Sequence, residues 1–97
     1  MRNYVKCSRI CVDVIASDES SVYSFDFYVK KEETAEMMFF IMGLVGNYKT
    51  PGLNISVKDL HTLPMNEVWT KEGIAKCMEE SIPDLEVPKD EYQRILV

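Results

Sequence analysis

Two stretches of strict apolar–polar alternation, separated by a short polar break, constrain this chain more than any other feature of its sequence. In residues 9–15, Ile10, Val12 and Val14 fall on one side and Arg9, Cys11 and Asp13 on the other. In residues 22–29, Tyr23, Phe25, Phe27 and Val29 alternate with Ser24, Asp26 and Tyr28. A period of two places every second side chain on the same face of an extended strand, so each run reads as a half-buried strand. The break, Ser17-Asp18-Glu19-Ser20-Ser21, is built of turn-forming residues. Strand, turn and strand then make an antiparallel hairpin. Val5 and Cys7 are apolar in the opposite phase to Ile10. Such a phase change predicts a bulge, or a strand that begins late.

Beyond the hairpin the pattern changes period. A helix is expected from Lys31 to about Val45, with Glu32 and Glu33 at the positive end of its dipole. Gly46-Asn47, then Pro51-Gly52, supply its stop and a turn. Leu53, Ile55 and Val57 alternate with Asn54, Ser56 and Lys58 as a third strand, and a short fourth is expected within 63–69. Thr70 reads as the N-cap of a second helix, with Ile74, Cys77, Met78 and Ile82 at helical spacing and Pro83 ending it. Residues 89–97 fit a third helix or an edge strand equally well. The order ββαβ(β)α predicts an α+β fold. It is a two-layer sandwich with a mainly antiparallel sheet of roughly three to five strands and two or three helices, forming one domain over residues 1–97.

The first helix is apolar nearly all round. Eight of the nine residues from Met37 to Val45 are apolar. Stepped at about 100° per residue, Met37, Ile41, Leu44 and Tyr48 form one stripe, with Phe40 and Val45 at its margins. That stripe should lie on the sheet. The opposite side carries Ala35, Met38, Phe39 and Met42, where a sheet-bound helix normally turns polar residues to water. Burial of a Phe or Met side chain is worth about 1.5–3 kcal/mol, so a cover is expected. The candidates are the second helix, through Ile74, Met78 and Ile82, or another chain. Methionine, flexible and polarizable, suits an adaptable binding face.

Charge supplies a second candidate surface. The net charge is −5, and residues 65–97 carry eight acids against four bases. This balance argues against direct nucleic-acid binding, which needs clustered Lys and Arg. Glu72, Glu79, Glu80, Asp84 and Glu86, with Glu67, Asp90 and Glu91 around them, would steer a basic partner or imitate a phosphate backbone if they faced one way. The plain alternative is a solvated face that keeps the chain soluble.

Most chemistry is excluded by spacing. Cys7 and Cys11 on one strand lie about 13 Å apart, too far for a shared zinc ion or a disulfide. With Cys77 they make an odd set of three, which predicts reduced thiols and a cytoplasmic setting. Gly43-Leu44-Val45-Gly46-Asn47-Tyr48-Lys49-Thr50 has the wrong glycine and lysine spacing for a phosphate loop, and it closes a helix instead of opening one. His61 is the single histidine, with Asp59 two residues before it and no local catalytic signature around either. No metal or cofactor is expected. No apolar run reaches the roughly 18 residues of a membrane span, and no apolar segment of a secretory signal follows Met1-Arg2-Asn3-Tyr4.

These readings converge on a non-catalytic protein-interaction module, an inhibitor or regulator in a role like that of toxin immunity proteins or phage-encoded inhibitors. It would bind through the helix face Ala35, Met38, Phe39 and Met42, through the acidic surface Glu72, Glu79, Glu80, Asp84 and Glu86, or through both. The expected partner is another protein with a basic or nucleic-acid-binding surface, or a second copy of the chain. The alternative from another class is a small homodimeric enzyme or ligand-binding domain. Its pocket would lie between sheet and helices, with Cys7, Cys11, Tyr28 and His61 as polar groups.

Overall fold

Among the described residues the alternating runs become a three-stranded antiparallel sheet of order β2-β1-β3. The computed structural model describes residues 3–15, 21–46, 52–83 and 85. Its strands are β1 (Tyr4–Ile15), β2 (Val22–Lys30) and β3 (Gly52–Pro64); its helices are α1 (Thr34–Gly46) and α2 (Lys71–Ser81). Short 3-10 turns at Lys31–Glu33 and Met65–Glu67 lead into α1 and out of β3. The architecture is α+β, with both helices on one face of the sheet.

Register explains why that face is apolar. In the central strand, Ile10 lies between Phe27 and Val57, Val12 between Phe25 and Ile55, and Val14 between Tyr23 and Leu53. Ile10, Val12, Val14, Phe27 and Val29 are buried there. Onto them α1 sets Met37, Ile41, Leu44 and Val45, and α2 sets Ile74, Ala75 and Met78, followed by Ile82 and Leu85. Phe27 stacks on Phe25 with ring centroids 5.8 Å apart and meets Trp69 edge-on at 4.9 Å.

The expected bulge lies beside Cys7, but its extra residue is on β3, so β1 keeps its phase and Cys7 stays on the side of Arg9. Ser8 faces Leu60 while Arg9 faces Lys58, so Asp59 has no opposite number. The bulge divides β3 into two paired runs, and in β1 the consecutive residues Cys7 and Ser8 are both buried, one on each face of the sheet. Of the stretch 63–69, Leu63 and Pro64 complete the second run, and the chain then turns. It crosses under the start of β1, where the Met65 N–H donates to the Asn3 carbonyl at 2.8 Å. It then reaches the outer edge of β2, where the Trp69 N–H donates to the Tyr28 carbonyl at 2.8 Å.

Local signals set the helix ends. Lys31–Glu33 is a 3-10 turn, so α1 begins at Thr34, whose hydroxyl donates back to the Lys31 carbonyl at 2.7 Å. Thr70 caps α2, its side-chain oxygen accepting the Gly73 N–H at 3.1 Å. The first turns of the two helices are joined by the Lys71–Glu36 ion pair at 2.6 Å. The expectations for Tyr48, Asp84, Glu86 and residues 89–97 fall outside the described residues.

Candidate functional site

The outer side of α1 is the candidate site, and its geometry follows from the stripe that faces the sheet. Because Met37, Ile41, Leu44 and Val45 are committed to the core, residues half a turn away are carried outward. Phe39 is 72% exposed and Met42 47% exposed. Ala35, Gly43 and Gly46 share their exposed side, and Glu36 stands at its N-terminal end. Met38 turns partly inward and packs against the core, as does Phe40, over whose ring the Lys71 ammonium sits at 5.9 Å. Of the four apolar residues expected on this face, the structure brings Ala35, Phe39 and Met42 together on the open side and puts Met38 at its margin.

The expected cover by α2 does not form among the described residues. The apolar stripe of α2 is narrow, and Ile74, Ala75 and Met78 are all used against the sheet and the inner side of α1. Cys77, the remaining apolar residue of that stripe, is half-buried against the same core.

The acidic candidates are exposed but do not form an unbroken row. Glu72, Glu79 and Glu80 lie on the exposed side of α2, and Lys76, one turn beyond Glu72, interrupts them. Glu67 is exposed on the turn before α2.

Cys7, Cys11, Tyr28 and His61, expected around a pocket between sheet and helices, lie on the opposite face of the sheet. They share the phase of Arg9 and Asp13, whereas Ile10, Val12 and Val14 fill the space under the helices. Tyr28 and His61, from the strands flanking β1, meet edge to face at 5.3 Å, and Cys7, paired directly with His61, is fully buried. Further along, Arg9 makes an ion pair with Asp26 at 2.9 Å, and the Ser24 hydroxyl donates to Asp13 at 2.7 Å. The Arg9 hydrogen bond, reinforced by one from Cys11, holds the Asp26 carboxyl below its ordinary range. The same Asp26 bond, with some burial, pushes the Cys11 thiol up. A thiol shifted in that direction is a poorer nucleophile at neutral pH.

Two shallow grooves flank Trp69. The larger, about 580 Å³, runs from Tyr28 and Leu63 to Gly73. The other, about 460 Å³, is bordered by Lys30, Glu33, Glu36 and Lys71, of which the last two are already paired with each other. Among the described residues no three His, Cys, Asp or Glu side chains converge as metal ligands, and no helix is long and apolar enough to cross a membrane.

One surface escaped the sequence pattern. The outer run of β3 carries Leu53, Ile55 and Val57 on the helix side of the sheet, half-buried or exposed. Their alternation marks a strand without revealing that it lies at an edge. The chain matches no protein-family model, no curated protein and no solved structure.

Proposed function

We propose that this chain is a non-catalytic protein-interaction module, an inhibitor or regulator that docks on a protein partner through the outer side of α1. The observation that carries this reading is the exposure of Phe39 and Met42 side by side on a helix whose inner stripe already fills the core. Two large apolar side chains held in water by a rigid helix suit the buried anchor of an interface. Gly43 and Gly46 beside them admit a close approach; a side chain at Gly46 would meet nothing within 4 Å. The exposed carboxylates of α2 favour a partner with a basic surface, because complementary charge speeds encounter. Three free thiols are in keeping with a reducing compartment such as the cytoplasm.

The test is site-specific photo-crosslinking in the native host. A photoreactive phenylalanine analogue at Phe39 should capture one discrete protein, and Met42→Lys should abolish that adduct. The same analogue at Ser24, on the polar face of the sheet, serves as the control. Equal capture at both positions, or none at position 39, overturns the reading.

A further inference from the structure

We propose that the free edge of β3 is where two copies of this chain join, through antiparallel pairing centred on Ile55. This inference rests on the sheet edge and is independent of the helix face.

Among the described residues the sheet has two edges, β2 and β3. That of β2 is engaged at Tyr28, whose carbonyl accepts the Trp69 N–H. This bond also fixes the direction of the backbone elsewhere. In an antiparallel pair, a residue whose carbonyl points away from its neighbour stands in a non-hydrogen-bonded pair. Tyr28 is such a residue, so Arg9 opposite it directs its own groups toward β3. By alternation Cys11 and Asp13 do the same, bonding Ser56 and Asn54. The intervening residues Leu53, Ile55 and Val57 therefore aim their N–H and C=O groups outward, and these meet no partner among the described residues.

Nothing in this run discourages pairing. Leu53-Asn54-Ile55-Ser56-Val57 carries no charge, no proline and no glycine. The features by which proteins blunt a sheet edge lie further along β3: Lys58, the bulge at Asp59 and Pro64. On the helix side Leu53 and Ile55 are only half-buried, and Val57 is 43% exposed. An added strand would extend the apolar floor.

The run is complementary to itself. About a two-fold axis at Ile55, Leu53 faces Val57 of the second copy and Ile55 faces its equivalent, all on the helix side. Asn54 faces Ser56 on the other side, so an amide meets a hydroxyl. Lys58 falls opposite Gly52, so no like charges meet. The register centred on Ser56 instead sets Leu53 against Asp59, which opposes an apolar residue to an acid. A symmetric, isologous contact of this kind closes on itself and yields a dimer. The two three-stranded sheets merge into one continuous sheet, β2-β1-β3-β3-β1-β2.

Light scattering and sedimentation equilibrium on the full chain test this. The expected mass is twice the 11.2 kDa of the chain. Val57→Pro removes an outward N–H and leaves the bonds to β1 intact, as proline is tolerated on an edge strand. It should halve the mass while the circular dichroism spectrum is unchanged. Phe39→Asp should leave the dimer whole. Ile55→Cys should give a disulfide-linked dimer on mild oxidation that the wild type does not, because directly paired Cα atoms stand about 5.5 Å apart. Val57→Cys, whose symmetry mate is displaced along the strand, should not. A monomeric wild type, dissociation by Phe39→Asp in place of Val57→Pro, or crosslinking at 57 and not at 55 each overturns the proposal.

Discussion

Arg9, Asp26 and Cys11 show how a few side chains keep the outer face of the sheet ordered without a core beneath them. The guanidinium lowers the Asp26 pKa, and the carboxylate in turn keeps the Cys11 thiol protonated. Removing the carboxylate, as in Asp26→Ala, takes away both the hydrogen bond and the negative charge that raise the thiol, and leaves Arg9 beside it to lower it. We expect Cys11 to be alkylated several-fold faster near pH 8 in that variant, read by mass spectrometry of the modified peptide. The sign of the pH dependence follows from the depressed carboxyl. Asp26 contributes its stability in full above the ordinary aspartate range, about pH 3.9, and loses it as pH falls through its lower folded value. Both partners are well exposed, with Asp26 at 50%, so solvent keeps the effect small. A difference in urea midpoint between wild type and Asp26→Asn that persisted unchanged below pH 2 would contradict this. The polar face itself was legible from the alternation of Arg9, Cys11 and Asp13 with their apolar neighbours. The partnership was not, because it depends on which residue of β2 stands beside Cys11, and the hairpin register decides that.

Among the elements, α2 is held by its cap and α1 by its burial. Thr70→Ala removes the side-chain acceptor of the Gly73 N–H. It should cost about 1 kcal/mol in chemical denaturation, and an unchanged midpoint would mean the cap is idle. Thr70 could be placed in advance because a hydroxyl residue before a run at helical spacing has one plain use. The core stripe of α1 was equally legible: Met37, Ile41 and Leu44 fall where a step of about 100° puts them. Its start was less so, since Lys31–Glu33 has the acidic first turn of a helix but coils as a 3-10 turn. The failure of α2 to shelter Phe39 was beyond the sequence, because spacing tells which residues of a helix are apolar and not which neighbour they meet. β3 ran longer than its pattern. Lys58, Asp59, His61 and Thr62 interrupt the apolar alternation, and pairing with β1 carries the strand through them.

For the molecule as a whole, the two faces of the sheet divide the labour, with apolar packing under the helices and, on the far side, the Arg9–Asp26 ion pair and the Ser24–Asp13 hydrogen bond. The exposed outer stripe of α1 lies beyond both. If the carboxylates of α2 steer a basic partner toward that stripe, Glu79→Lys combined with Glu80→Lys should slow association roughly tenfold at low salt, within the range electrostatic steering provides. The dissociation rate should be nearly untouched. Stopped-flow measurements across a salt series separate the two effects, and an association rate indifferent to both charge and salt would remove steering from the account. Strand order has a further consequence. The middle strand of the sheet precedes both of its neighbours in the chain, yet its flank toward β3 begins to fill only at Gly52 and is complete only at Pro64. On the ribosome the backbone edge of β1 that later bonds β3 stands open while the hairpin and α1 emerge, vulnerable to passing strands from neighbouring nascent chains.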